Sequence, residues 1–520
     1  MAHAKTQSQM DEPVQLVQLH ERLVKSAVSH PQAIALIAGD EIWTFERLAR
    51  YVISLAHGLV AQGVRQGDRV AVHLTNKAET IAALYACMIT GAITAPLNTR
   101  FKRAEIESLL RRLRPALYLG QADLYGEIAG IDTSVLDIAK RFLVDGPRDV
   151  AGIRPWTDLT GRDESEPPLL APPHADEPAI LLSTSGTTGE PKLVTHTPRT
   201  LYEIVRAFQP IVLRPHDVVL ISSPMMHAAG LFTALTALFT NVTCVLMDRF
   251  DPDEALDLIE RHRCTTLVGL PFVYAGLLAK QQARPRKITS LGACLVGGDT
   301  TPQALQEDFL KVFGVRMRNI LGMSESVGTF TYGFDFTPVC RAVHPERVRL
   351  VNEVGDSVQL GEAGELQLRG PNLFAGYWIG PGHIETARKD GWWSTGDVLQ
   401  QDETGDYWYT ARSKNLIIRG GSNISPIEVE NALTLHRGVR NAAIIGVPDE
   451  VLGQRVVGFV ELTDQAIQVE EVLADLSTRL ASYKTPERLI VIDQIPRNSL
   501  GKIDRLRLQS LATVRDGEST

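Results

Sequence analysis

Cysteine is scarce in this chain and carries no pattern. The five cysteines, Cys87, Cys244, Cys264, Cys294 and Cys340, are scattered, odd in number and never spaced as Cys-x-x-Cys. That argues against a zinc site or a disulfide framework; each sits in an apolar neighbourhood, as reduced core thiols do. A dense lysine or arginine run is also missing, and the formal net charge is −8. No nucleic-acid partner is expected from such a chain. The first residues lack the apolar core of a secretory signal, so a cytoplasmic location is expected. Residues 228–247 carry no charge, enough to span a bilayer on length alone, but Thr233, Thr236, Thr240, Asn241 and Thr243 interrupt them. They read as a buried helix, a turn near Asn241 and a strand over 242–247, and no membrane span is expected. Internal repeats and long low-complexity tracts are absent as well.

What is present is an alternation of short apolar β-type runs with helical patterns. A chain of 520 residues exceeds one hydrophobic core and divides into domains of roughly 100–200 residues. A strand over 69–74, a helix over 77–90 ending at Gly91 and a strand over 92–96 read as one layered unit. Further strands are expected at 218–222, 265–270 and 291–296. Thr197-Pro198 reads as the N-cap and first position of a helix, and 161–178 as a connecting loop. After about Tyr409 the character changes. Arg412-Ser413-Lys414-Asn415 is a short polar, hinge-like run. Ser425-Pro426-Ile427-Glu428 reads as a capping box opening a helix through about Leu435, followed by strands at 441–447 and 455–462. The fold class is therefore α/β: a large N-terminal domain over 1–413, a small C-terminal α+β domain over 414–510, and a frayed polar tail over 511–520.

The densest chemistry lies in Ser183-Thr184-Ser185-Gly186-Thr187-Thr188-Gly189-Glu190-Pro191-Lys192, between the apolar runs 179–182 and 193–194. Glycines let backbone N–H groups approach an anion, and hydroxyls and an ammonium add donors, so the stretch reads as strand, mobile polyphosphate-holding loop, strand. It is not a Walker loop, which needs Gly-Lys-Ser/Thr opening a helix. In its order of residues it resembles the phosphate loop of the AMP-forming adenylating enzymes: acyl-CoA synthetases, peptide-synthetase adenylation domains and luciferases.

Other segments resemble the same family in the same order. Leu321-Gly322-Met323-Ser324-Glu325 resembles its aromatic-Gly-x-Thr-Glu motif, which implies phosphate contact by Ser324 and a hold on Mg²⁺ by Glu325. Taken alone, Gly-Met-Ser-Glu is equally a helix N-cap with an acidic first turn. Leu321 stands where family members usually have a tyrosine that stacks on adenine. Trp393-Ser394-Thr395-Gly396-Asp397 resembles the ribose motif, with Asp397 accepting from the ribose hydroxyls and Arg412 as its partner; a lone Thr-Gly-Asp is most often a turn. Gly297, Gly298 and Asp299 resemble strand-end residues lining the adenine and acyl pockets. His227 matches a position at the mouth of the acyl pocket, lined also by Gly298, Gly322, Val327 and Gly328. Pro496–Lys502 resembles the final motif, whose Lys502 contacts carboxylate and α-phosphate; removing such a cation costs roughly 3–4 kcal/mol at comparable sites. Gly420, Gly421 and Ser422 resemble the loop that lines the CoA pantetheine channel, and Lys414 the hinge.

The resemblance implies an acyl-CoA ligase with a large multi-subdomain adenylate-forming domain and a small hinged one. Its catalytic residues would be Lys502, Glu325, Thr184 and His227. Its ATP/AMP contacts would come from 184–189, Lys192, 297–299, 321–325, Asp397, Arg412 and Lys502. Substrates would be a carboxylic acid, ATP with Mg²⁺, and CoA, in a monomer or homodimer. A carrier-protein pantetheine acting in trans is an alternative acceptor. A catalytically impaired nucleotide-binding regulator is the alternative outside catalysis, and an amino-acid substrate is disfavoured because 224–236 lack an aspartate. Small and apolar residues dominate 226–233, 297–301 and 322–330, with no lysine or arginine, so a neutral, medium-sized aliphatic or aromatic tail is expected. Leu193, where the family usually has Gly, is expected to stiffen the exit of the phosphate loop.

Overall fold

The computed structural model describes residues 18–145, 152–161, 174–184, 191–299, 301–333, 339–412, 415–419, 422–449, 452–464, 466–480, 482–498 and 502–517. The chain is mixed α/β and forms two compact units. The first comprises residues 1–249 with 324–326 and 371–386; the second comprises 250–323, 327–370 and 387–520.

In the first unit the strand Arg69–His73, the helix Ala78–Thr90 and the strand Ile93–Pro96 form the expected layered element, its two strands parallel. Gly91 ends the helix in the left-handed region at φ 69°. The strands are buried along nearly their whole length and the helix on all faces, which is why the sequence shows continuous apolar runs rather than alternation here. Leu117–Gln121 and Arg141–Val144 extend this parallel layer on one side; Ile180–Thr184, Lys192–His196, Gly376–Gly380 and His383–Glu385 extend it on the other. A second layer pairs Ile34–Ala38 in parallel with Thr243–Leu246, and that strand with Val218–Ile221. The uncharged stretch is the helix Ala228–Phe239, a left-handed Asn241 at φ 60° and this strand. Among the described residues no helix is long and apolar enough to cross a membrane.

In the second unit Thr266–Gly269, Ala293–Gly297 and Met317–Ile320 run parallel. An antiparallel sheet follows, in the order Val339–Arg341, Asp406–Arg412, Trp392–Gln401, Ala363–Leu368, Val348–Val351. The C-terminal part is built on the long hairpin of Val439–Asp449 with Gly453–Leu462, one cluster of apolar side chains packing under the helices Pro426–Thr434 and Val469–Ser477 and another under the final helix. All five cysteines are free and buried, and burial pushes each thiol well above its ordinary pKa.

Two expectations are corrected. Ser425 Oγ accepts from the Glu428 backbone, but the Glu428 carboxylate turns to Lys484 at 2.6 Å instead of closing a capping box. The run from 511 is helical as far as Gly517, within Arg505–Gly517, because Leu508 and Ala512 are buried against the hairpin; 518–520 lie outside the described residues.

Candidate functional site

The strands Ile180–Thr184 and Lys192–His196 pair antiparallel, with Thr184 directly opposite Lys192. Both expected strands are present. Ser185, Gly186, Thr187, Thr188 and Gly189 lie outside the described residues, and the strand ends that flank them share one rung. Arg112 Nη1 donates to the Pro191 carbonyl at 2.7 Å, anchoring the return. Leu193 is not at a loose exit: it is 1% exposed and packs with Ile93, Leu97, Ile106 and Trp378.

Beside this hairpin lies Ser324-Glu325. The segment is irregular, with no helix starting there, so the helix-cap alternative is removed. His196 Nε2 is 2.8 Å from the Ser324 carbonyl, and the Glu325 carbonyl accepts from Phe374 N at 2.9 Å. The Tyr377 hydroxyl donates to Glu325 Oε1 at 3.0 Å, and Lys192 Nζ lies 4.5 Å from the centre of the same tyrosine ring. One tyrosine thus links the lysine that closes the loop to the glutamate, a cation over its π face and a carboxylate at its hydroxyl. Nothing in the sequence singled out Tyr377 or His196. Tyr377 arrives because Gly376–Gly380 pairs with Lys192–His196, placing Tyr377 against Val194. Gly376 is obligatory: it sits at φ 152°, and a Cβ there would lie 2.4 Å from the Glu385 carbonyl.

His227 is the N-cap residue of the helix Ala228–Phe239 and is half-buried; its carbonyl accepts from Leu231 N at 3.0 Å. Phe232 of that helix meets His196 edge-on, with ring centres 5.3 Å apart.

In the second unit Gly297 and Ile320 are partners at the ends of adjacent parallel strands. A Cβ on Gly297 would lie 2.7 Å from the Ile320 carbonyl. Gly298 and Asp299 leave one strand, and Leu321, Gly322 and Met323 leave the other, both at carboxyl ends, where ligands bind in open α/β sheets. Val327 and Gly328 follow, both buried.

Asp397 is not in a simple turn. It lies within Trp392–Gln401, directly across from Arg412 on Asp406–Arg412. Arg412 Nε is 2.8 Å from Asp397 Oδ1, and Nη1 donates to the Thr395 carbonyl at 2.9 Å. The Tyr409 hydroxyl donates to the same carboxylate at 3.2 Å. Burial raises the Asp397 pKa above its ordinary value; Arg412, Tyr409 and the charge of Lys502 oppose that rise. Asn498 N donates to the Lys502 carbonyl at 2.8 Å. Arg497, next to Asn498, reaches 3.9 Å from Asp299. The Arg505–Glu430 pair, 2.7 Å, ties the final helix to Pro426–Thr434. Asp397, Arg412 and Lys502, separated in sequence, thus share one electrostatic neighbourhood. Lys414, Gly420 and Gly421 lie outside the described residues; Ser422 opens the strand Ser422–Ile424.

The AMP-binding enzyme family matches residues 23–378, and the AMP-binding enzyme C-terminal domain family matches residues 428–502. The medium-chain fatty-acid–CoA ligase of Escherichia coli (strain K12) is 30% identical over 508 residues, 93% of this chain and 88% of that one. The feruloyl-CoA synthase of an Amycolatopsis species is 33% identical over 498 residues, covering 92% and 96%. Among solved structures, ATP-bound MatB from Rhodopseudomonas palustris is 27% identical with a TM-score of 0.83, covering 95% of this chain and 98% of its own. The anthranilate CoA ligase AuaEII with anthranoyl-AMP, at 23% identity, shares the fold with a TM-score of 0.86, covering 98% and 99%.

Proposed function

The chain belongs to the AMP-binding enzyme family and is an AMP-forming acid–thiol ligase, and we propose that it joins a neutral, medium-sized aliphatic or aromatic carboxylic acid to CoA through an acyl-adenylate. The observation that carries the assignment of roles is the buried Asp397 carboxylate, aligned by Arg412 and Tyr409 within the field of Lys502. A carboxylate so held is an acceptor for a vicinal diol, and a cation beside it is where charge develops when a carboxylate attacks an α-phosphate.

In this reading Asp397 accepts from the ribose hydroxyls, with Arg412 fixing its orientation. Lys502 stabilises the charge that develops on the α-phosphate oxygens. Thr184 and Lys192, facing each other across the mouth of the loop, bring hydroxyl and ammonium donors to the departing phosphates. The backbones at 297–299 and 321–323 leave room for a base, with Leu321 packing against it in place of a stacked ring. His227 would orient the carboxylate, and Gly298, Gly322, Val327 and Gly328 would serve the acyl tail. Lys414 serves as the hinge, and Gly420, Gly421 and Ser422 admit the thiol arm. Lys502 would withdraw between the two half-reactions, which have different needs. The domain division proposed is 1–413 and 414–510, in a cytoplasmic monomer or homodimer.

Mg²⁺ fits the residues present. Glu325 offers one oriented carboxylate, and among the described residues no group of three or more His, Cys, Asp or Glu could hold a metal ion. A single carboxylate suits a hard cation that arrives on phosphate oxygens and keeps waters. When bound, it would neutralise charge on the departing pyrophosphate.

The neutral tail is supported by the absence of lysine and arginine from 226–233, 297–301 and 322–330. The relatives named for medium-chain fatty acids, ferulate and indoleacetate point the same way. A panel of acids in a pyrophosphate-release assay, followed by competition between CoA and a holo-carrier protein, tests the proposal. Aliphatic and aromatic monoacids should lead. Strong preference for a diacid overturns the pocket reading, acylation of carrier but never CoA overturns the acceptor, and no exchange with any acid favours the catalytically impaired regulator.

A further inference from the structure

We propose that His196 is a positioning residue: its Nε2–H holds the Ser324 carbonyl and thereby sets the placement of the Glu325 carboxylate. The inference rests on the role proposed above for Glu325.

His196 is wholly buried. Its ring is held on every side. Nε2 lies 2.8 Å from the Ser324 carbonyl and Nδ1 3.2 Å from Thr200 Oγ1, and Phe232 closes one edge. A carbonyl only accepts, so Nε2 carries the proton. Burial drives the ring's pKa down to about 4, so the imidazole stays neutral and keeps this single tautomer at neutral pH. The backbone is equally fixed: His196 pairs with Ile180, and its carbonyl accepts from Ala179 N at 2.8 Å.

The other end of the contact lies outside regular secondary structure. Ser324 and Glu325 lie in neither helix nor strand, with an isolated bridge from Ser326 to Leu373 beside them. In that setting a donor from a rigid strand sets the turn, as outer partners set metal-holding side chains. The strand is also the one that closes the phosphate loop, since His196 lies four residues after Lys192. The two anion-handling segments are thereby registered to each other within one unit.

The test measures binding of Mn²⁺–ATP to the whole protein, without a carboxylic acid, by electron paramagnetic resonance and calorimetry. Removing the donor in His196→Met, or moving it in His196→Asn, should weaken Mn²⁺–ATP by about 10–100-fold while leaving metal-free ATP within about three-fold. His196→Gln, whose amide N–H reaches the Nε2 position, should restore most of the loss. His73→Gln removes another buried histidine of the same unit and should leave the affinity unchanged, controlling for general loosening. Equal weakening by the Gln and Asn variants, or wild-type affinity in either the Met or Asn variant, overturns the inference. If His196→Met does not fold, the Asn and Gln pair decides alone. Wild-type protein that binds ATP equally with and without Mn²⁺ would instead overturn the role of Glu325 itself.

Discussion

Replacing Asp397 by asparagine is the sharpest probe of the proposed nucleotide site. The carboxylate is 3% exposed and receives the Arg412 guanidinium at 2.8 Å and the Tyr409 hydroxyl at 3.2 Å. A hydrogen bond to a charged group contributes about 1.5–3 kcal/mol, so losing the charged acceptor for the ribose hydroxyls should weaken ATP by about 10–150-fold. The cost to folding should be much smaller. Burial lifts the carboxyl's folded pKa above its unfolded value, so its contribution to stability is full at low pH and declines as pH rises through the folded pKa. At neutral pH the native carboxylate already bears that cost, and the amide does not. Arg412 keeps its bond to the Thr395 carbonyl and is 39% exposed, so solvent takes over part of its charge. Asp397→Asn should therefore stay within about 1–2 kcal/mol of wild-type stability at pH 7. The assay compares ATP with 2′,3′-dideoxy-ATP in pyrophosphate exchange, with urea unfolding alongside. Wild type should discriminate strongly and the variant hardly at all. A variant that keeps wild-type discrimination while folding normally would refute Asp397 as the ribose acceptor.

Tyr377→Phe removes the hydroxyl bonded to Glu325 but keeps the ring beneath Lys192, and should lower exchange about 5–20-fold with little change in Tm, whereas Tyr377→Ala should lower both. His73 is neutral in the fold, its pKa depressed from 6.5 to about 4 by burial, with Asp123 and Glu127 opposing; stability should be full above pH 6.5 and fall by about 3 kcal/mol as pH drops to 4. Urea midpoints of wild type and His73→Gln across that range check this, and identical slopes would exclude it. Leu193→Gly should cost about 3–5 kcal/mol in urea unfolding, because the side chain fills the core; a loss under about 1 kcal/mol would return it to the loop-exit role.

Periodicity and turn chemistry made much of the secondary structure legible. The helix stop at Gly91, the Thr197-Pro198 helix start and the Asn241 turn are local matters of capping and backbone conformation, and each stands where the residues indicated. Where side chains decide, local signals were insufficient. Glu428 fits a capping box, yet Lys484 takes its carboxylate; the run after 511 looks polar, yet Leu508 and Ala512 give its helix a buried face. The motifs named Lys192, Glu325, Asp397, Arg412 and Lys502 by kind and order. Their neighbours came only from pairing across strands. Tyr377 meets Lys192 and Glu325, and His196 holds Ser324, because segments about 180 and 130 residues apart are neighbours in space. The sequence by itself determined which groups have the chemistry for the roles proposed toward phosphate, ribose and metal, since that chemistry belongs to the residue type. Tertiary structure alone decided which partner orients each, since that depends on register and burial, and neither is written in local sequence.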